Sequence, residues 1–372
     1  MKIISAVGAR PNFIKIAPLC AALKRYPEVE HLLVHTGQHY DVRMSDSFFA
    51  DLGIPEPDVH LNIGSGSHAE QVGRTMIAFE QVVRAEKPDW VVVVGDINAT
   101  CACSIVAKKE HVKLAHIEAG LRSGDADMPE EINRLVTDRL ADLLLTPDRI
   151  SGENLRREGV PEERIVFVGN IMIDTLDAQC ARARKLDVTE IVKRELLIPQ
   201  ELPPFPQDGF AVITMHRPSN VDRPETLRPL VELLTGEIAN DLPLLWPIHP
   251  RTRRQLELDG LWEQVSRTII LLNPLGYHEM LRLNMSAKLM LTDSGGLQEE
   301  CCVLGTPCLT MRGNTERPVT LKEHGGTSRL VGNDPGLILA VYREERNSPR
   351  RPFRPELWDG HTAERIVQAL LR

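Results

Sequence analysis

The chain reads as an α/β protein built from two doubly wound, Rossmann-like domains, and three observations predict this. Short runs rich in Val, Ile and Leu alternate with longer helical patterns from end to end. These runs are apolar throughout, as strands buried on both faces are, and such strands belong to parallel sheets covered by helices on either side. At 372 residues the chain also exceeds one typical domain of about 100–200 residues.

Candidate strands in the first half fall at 3–7, 32–35, 90–94, 114–118, 143–146 and 165–168. In the second half they fall at 211–215, 244–248, 269–272, 289–292, 308–311 and 330–331. Two sets of six predict two doubly wound sheets. The expected division is a first domain over 1–170, a linker region over 171–208 and a second domain over 209–359. Pro199, Pro203, Pro204 and Pro206 stiffen the linker and suit no sheet interior. An amphipathic pattern predicts a helix over 362–371, and residues 360–372 are expected to pack back on the first domain.

Composition narrows the function. Hydrophobic residues at 42% and charged residues at 26% allow a large core. A net charge of −8, only 4% aromatics and no basic block argue against a nucleic-acid surface. No apolar run approaches the roughly twenty residues of a membrane helix. The chain opens on a strand pattern at Lys2, which predicts no secretory leader. Seven cysteines, an odd count without Cys-x-x-Cys, read as reduced core residues of a cytoplasmic protein.

The chemistry gathers after strands, where ligands bind in open parallel sheets. The most informative stretch runs through Thr292-Asp293-Ser294-Gly295-Gly296 into the helical pattern 297–304. Unpaired N–H groups and a positive helix dipole make this an anion site suited to a diphosphate. The glycines allow close backbone approach, and Glu300 fits an acceptor for a ribose diol. The alternative is a tight turn followed by an acidic helix start. Gly8-Ala9-Arg10-Pro11-Asn12-Phe13-Ile14-Lys15 follows the first strand and supplies two cations for phosphate, or is an ordinary βα turn. Thr36-Gly37-Gln38-His39 offers a hydrogen-bonding His39 or a solvated turn histidine.

Three carboxylates sit in comparable places. Asp96 follows the strand 90–94, where burial is costly unless the charge is paired or used; an N-cap is its rival reading. Glu118 ends the strand 114–118, with Arg122 near in sequence. Glu130 opens a helix in Pro129-Glu130-Glu131-Ile132-Asn133-Arg134, where acids also suit the dipole. Three carboxylates on loops at strand ends suggest general acid/base work. His216, after the strand 211–215, is placed to hold or give a proton. Arg317, in Thr315-Glu316-Arg317-Pro318, clamps a phosphate or forms a loop salt bridge with Glu316. Gly64-Ser65-Gly66-Ser67-His68-Ala69 matches a dinucleotide pattern but lacks a clear preceding strand. No Walker loop, zinc spacing or nucleophile elbow occurs.

In their order and coverage these motifs are highly specific. With Gly169-Asn170 and Asp174, they resemble the non-hydrolysing UDP-N-acetylglucosamine 2-epimerases over nearly the whole chain. The resemblance implies a glycosyltransferase-B-type architecture with an interdomain cleft, a homodimer, and no redox cofactor or metal. It implies interconversion of UDP-N-acetylglucosamine and UDP-N-acetylmannosamine through loss and re-addition of UDP. It assigns Asp96, Glu118, Glu130 and His216 to catalysis. Arg10, Lys15, Arg134, Ser294, Gly295, Gly296, Glu300 and Arg317 fall to the UDP-sugar.

The chain departs from the family pattern at Asn12-Phe13, where Glu is frequent, and at Arg217-Pro218-Ser219-Asn220. Residues 40–45 lack the glutamines of members with a second UDP-sugar site, which speaks against activation by a second substrate molecule. The Asn-Phe variant is similar to relatives acting on modified UDP-sugars such as a diacetamido uronic acid. A UDP-sugar glycosyltransferase and a non-catalytic UDP-sugar binder are the alternatives. The first needs an acceptor, and the second has no use for the carboxylates.

Overall fold

A computed structural model describes residues 1–37, 52–200 and 209–372. The chain divides into two compact units, Met1–Ala178 with Pro355–Arg372, and Gln179–Arg354.

The first unit holds a sheet of strands β1 (Lys2–Val7), β2 (Glu30–His35), β3 (Val59–His60), β4 (Trp90–Val94), β5 (Lys113–Ile117), β6 (Leu143–Thr146) and β7 (Ile165–Phe167). Their order is β3-β2-β1-β4-β5-β6-β7, with all pairings parallel. Six of these strands match the apolar runs of the sequence to within two residues at either end. The seventh, β3, is a two-residue edge strand held to β2. So short a pairing leaves no apolar run, and the expected six becomes seven.

The second unit holds β8 (Ala211–Thr214), β9 (Leu244–Pro247), β10 (Ile270–Leu272), β11 (Leu289–Thr292), β12 (Cys308–Thr310) and β13 (Ser328–Leu330). They lie in the order β10-β9-β8-β11-β12-β13, again all parallel. Successive strand side chains point to opposite faces, and both faces are covered. Ile213, Trp246 and Leu291 enter one core cluster, while Val212, Leu245 and Met290 enter the other. Each such Leu, Ile or Val removed from water contributes roughly 1.5–3 kcal/mol.

Both sheets reverse winding direction once. In the first, β1 lies between β2 and β4; in the second, β8 lies between β9 and β11. Connections leave to opposite sides at these points, opening a crevice beyond the strand ends. The candidate residues after β1, β4, β8 and β11 all lie at these two places.

The segment Pro355–Arg372 belongs to the first unit. Trp358 is buried and donates from Nε1 to Pro147 O at 3.0 Å. Gly169, at φ +92°, lets Leu357 O approach to where a Cβ would stand 2.1 Å from it. The last helix, Thr362–Leu370, has no capping side chain of its own. Instead Asp174 accepts the N–H groups of Thr362 at 3.1 Å and Ala363 at 2.7 Å, a cap supplied from another helix. All seven cysteines are buried and free. Among the described residues no helix is long and apolar enough to cross a membrane.

Asp174→Ala should therefore loosen the C-terminal helix at a cost of about 1–2 kcal/mol. The check is the urea midpoint of unfolding, which should fall; an unmoved midpoint removes the cap from the account.

Candidate functional site

The register pairs Val94 of β4 with Ile117 of β5, so Gly95-Asp96 and Glu118 leave the sheet together. Glu118 is buried and accepts Lys15 Nζ at 2.6 Å. Lys15 lies in the helix Arg10–Leu23, which begins just beyond β1. Glu118 has φ +71°, and of the five non-glycine residues with positive φ among those described it alone is buried. Such backbone costs about 1–3 kcal/mol and persists where the surroundings over-determine it. Lys15 holds the side chain here, and the Glu118 N–H donates to Leu145 O at 3.1 Å.

Asp96 is not an N-cap. The helix Asn98–Lys109 is preceded by Ile97 as its cap residue, and Asp96 Oδ2 pairs instead with the buried Arg134 guanidinium. Arg134 also binds Glu131 Oε2 through Nη2 at 2.6 Å. Glu131 accepts the backbone N–H groups of Ser123 at 3.1 Å and Gly124 at 3.0 Å. Burial alone would raise the Glu131 carboxyl, but these N–H groups and Arg134 outweigh it and hold it below its usual range. Glu130 is half-buried and carries no hydrogen bond or ion pair among the described residues. Neighbouring helix residues point about 100° apart, so Glu131 turns inward to Arg134 and Glu130 does not.

Two residues here have structural parts that the sequence pattern does not show. His116 is fully buried, with Nδ1 2.6 Å from Asp138 Oδ1 and Nε2 2.9 Å from Gly95 O. Both ring nitrogens face acceptors, so both bonds form only when the ring carries two protons. Asp138 also accepts Gly120 N–H at 3.0 Å and Arg122 Nη1 at 2.7 Å. Burial pushes its carboxyl up, yet His116 and Arg122 bring it below the usual carboxylate range. Asn12, buried, accepts Ala9 N–H at 3.1 Å and donates to Val94 O at 2.9 Å. It ties the helix start after β1 to the end of β4, which a glutamate could not do with a carboxylate alone.

Arg10 opens its helix, but its side chain lies outside the described residues, as do Gln38 and His39 and the stretch 40–45. The pattern from Gly64 to Ala69 is a helix start: Ser67 caps the helix His68–Glu86 in a box with Glu70.

In the second unit, Thr214 of β8 and Thr292 of β11 are register partners, their hydroxyls 2.6 Å apart. Two residues on, His216 and Ser294 leave the sheet at the switch point. The helix Gly295–Leu304 starts earlier than the pattern 297–304 suggested, with Ser294 as cap residue. Gly295 and Gly296 are thus its first turn, where N–H groups have no partner within the helix. A Cβ on Gly295 would stand 2.7 Å from Arg317 Nη1 and 2.9 Å from Glu316 Oε1, so only glycine lets this guanidinium lie against the helix start.

Arg317 pairs with Glu316 and, through Nε at 2.8 Å, with Glu299. The loop salt bridge is therefore present, at the mouth of an anion-ready helix. Arg312 Nη2 reaches Glu316 Oε2 at 2.7 Å. Burial would raise Glu316, but Arg317, Arg312 and Arg217 dominate and keep it strongly ionised. Glu300 has no such cation. Desolvation pushes its carboxyl up to about 7, with Glu299 adding to the rise while Tyr277 and Asn284 oppose it. Among the described residues no group of three or more His, Cys, Asp or Glu could hold a metal ion.

A doubly wound sheet ending in a glycine-opened helix is an arrangement of nucleotide-binding α/β proteins. The chain belongs to the UDP-N-acetylglucosamine 2-epimerase family, whose model matches residues 21–371. It is 40% identical over 374 residues to the UDP-N-acetylglucosamine 2-epimerase of Methanocaldococcus jannaschii, covering 100% of this chain and 99% of that one. It is 42% identical over 376 residues to the UDP-2,3-diacetamido-2,3-dideoxy-D-glucuronate 2-epimerase of Pseudomonas aeruginosa, covering all of both chains. The crystal structure of the Methanocaldococcus jannaschii enzyme in complex with UDP-GlcNAc and UDP is similar at a TM-score of 0.90 and 39% identity, with 100% of this chain and 99% of that one covered.

Glu300 binds its proton more tightly folded than unfolded, where an ordinary carboxyl titrates near 4.5. Its contribution to stability is then full below about 4.5 and is lost as pH rises through about 7. Glu300→Gln should flatten that part of the stability–pH curve. Denaturation midpoints between pH 5 and about 8 read it, and an unchanged slope would show that Glu300 does not titrate there.

Proposed function

We propose that this protein interconverts UDP-N-acetylglucosamine and UDP-N-acetylmannosamine at C2 without net hydrolysis. The observation that carries the reading is that one family member combines the glycine-opened, Arg317-flanked helix start with strand-end carboxylates held by buried cations. The proton at C2 is not beside a carbonyl, so its simple removal is very unfavourable. In the proposed route the C2–H bond breaks and its electrons form the C1–C2 double bond. The C1–O bond breaks in turn, and its electron pair leaves with UDP. The 2-acetamidoglucal then takes UDP back at C1 and a proton on the opposite face of C2.

Each unit is assigned its part. Asp96 and Glu118 exchange the C2 proton and Glu130 supports them. Lys15 and Arg134 set the geometry and charge of Glu118 and Asp96. In the second unit Ser294, Gly295 and Gly296 receive the diphosphate with Arg317, and Glu300 accepts the ribose diol. Arg10 is assigned to phosphate. His216 gives a proton to the departing UDP and recovers it on return. Acid–base groups of this kind contribute typically 10²–10⁴-fold, and donors aimed at developing charge on the leaving group add to that.

A second reading is 2-epimerisation of a modified UDP-HexNAc such as a diacetamido uronic acid, favoured by the 42% identity to the Pseudomonas aeruginosa enzyme. Both readings suit a cytoplasmic enzyme supplying precursors of surface polysaccharides. The helix Pro129–Leu140 supports a homodimer. It buries Glu131, Asn133, Arg134 and Asp138, while Ile132 and Leu135 are 48% and 42% exposed. An apolar outer face on a helix with a charged inner face suits a second copy.

In heavy water, with a UDP-HexNAc and no acceptor, NMR should show one deuterium entering C2. Asp96→Asn or Glu118→Gln should slow exchange about 10²-fold or more while UDP still binds. An active preparation without C2 exchange would exclude the route, and an absolute need for an acceptor would mark a glycosyltransferase. Ile132→Asp should shift sedimentation from dimer toward monomer; a wild-type chain that sediments as a monomer ends the dimer reading.

A further inference from the structure

The geometry points to Asp293 as the positioning residue of His216, selecting the ring tautomer in which Nδ1 carries the proton and Nε2 exchanges one with UDP. This rests on the acid role proposed for His216.

Asp293 is fully buried at the first position beyond β11. Its two oxygens have different work. Oδ2 accepts the backbone N–H of His216 at 2.8 Å and of Arg217 at 2.8 Å, and Asn220 Nδ2 at 3.2 Å. These three bonds fix the turn after β8, and the amide oxygen of an asparagine would make them equally well. Oδ1 accepts no hydrogen bond among the described residues, and its polar neighbour is His216 Nδ1 at 2.9 Å, off the line of a hydrogen bond that a small turn of the ring would complete. A buried carboxylate oxygen without a partner is costly. The charge at position 293 is therefore accounted for by the ring and not by the turn.

The consequence for His216 follows from the ring's shape. With Nδ1 2.9 Å from a carboxylate oxygen, a neutral ring that turns onto that oxygen keeps its proton on Nδ1 and has the lone pair on Nε2. Burial would raise the Asp293 carboxyl, but His216 and the two backbone N–H groups outweigh it and keep it ionised. The other charged or titratable groups facing this pair are Arg217, whose Nε donates to Asp293 O at 3.2 Å, and His249, whose ring centroid is 5.5 Å from that of His216. Arg217 is a donor only, and His249 Nδ1 accepts the Arg251 N–H at 3.1 Å, so the acceptor shown beside His216 Nδ1 among the described residues is Asp293 Oδ1.

In Asp293→Asn the oxygen stays with the three donors of the turn, and the new amide nitrogen points at His216 Nδ1. The ring must then hold its proton on Nε2 and accept at Nδ1, the wrong way round for an acid. With ¹⁵N-labelled histidine at a pH where the ring is neutral, NMR of the wild type should show protonated Nδ1, the resonance being assigned by its loss in His216→Gln. Asp293→Asn should switch the proton to Nε2. It should also lower kcat for UDP-N-acetylglucosamine about a hundredfold or more, with KM within a few-fold, a split that a general loss of structure would not give. A wild-type ring protonated on Nε2 overturns the assignment and decides the matter even if the variant does not fold. Full turnover in Asp293→Asn beside an inactive His216→Gln overturns the pairing alone. Full turnover in His216→Gln overturns the acid role, and with it the catalytic meaning of the pair.

Discussion

Both sheets have strands packed on two faces, so polar and charged side chains find room only where the strands stop. This confines the chemistry of the chain to the residues just beyond the carboxyl ends. The change in winding direction at β1 and β4, and again at β8 and β11, then decides which strand ends stand open. Asp96, His216 and Ser294 occupy those places, and Glu118 stands beside Asp96 at the end of the neighbouring β5, because each follows an apolar run by one or two residues. The register turns that sequence offset into proximity, as the paired Thr214 and Thr292 do for the residues after them.

Concentrating charge at a buried edge has a cost, and the chain meets it by pairing. Lys15 serves Glu118, Arg134 serves Asp96 and Glu131, and Arg317 serves Glu316 and Glu299. Removing one partner from such a pair typically costs about 3–5 kcal/mol, because the other charge is left uncompensated. The pairs are therefore weak as sources of stability but strong as constraints on geometry. Glu300 is the contrast. It has no buried cation, and desolvation takes its carboxyl up to about 7.

The helix Pro129–Leu140 carries this arrangement to the surface. Its inner face is occupied by Glu131, Asn133, Arg134 and Asp138, groups tied to Ser123, Asp96 and His116 by hydrogen bonds and ion pairs, and the apolar Ile132 and Leu135 are turned outward. A helix serving only the core would be arranged the other way. Asn12 shows a related economy. One amide closes the helix start after β1 and holds the end of β4, so a departure from the family's frequent glutamate has a definite structural use.

Much of this was legible in the chain. Continuous apolar runs located twelve strands because burial on both faces leaves no other pattern, and residues following those runs pointed to the candidate site. Only β3 escaped, since a two-residue pairing has no pattern to show. What sequence could not determine were directions. Glu130 and Glu131 are equivalent as letters, and the helix rotation decides which meets Arg134. Asp96 could have been a cap until Ile97 took that place. Asp293 and His116 gained meaning only from partners far away in the chain, at Oδ1 to Nδ1 of His216 and at the carboxylate of Asp138. Local pattern determines which segments are buried strands and which residues stand at their ends; the tertiary structure decides what each of those residues faces, because a charge is directed by its partner's position in space and not by its neighbours in sequence.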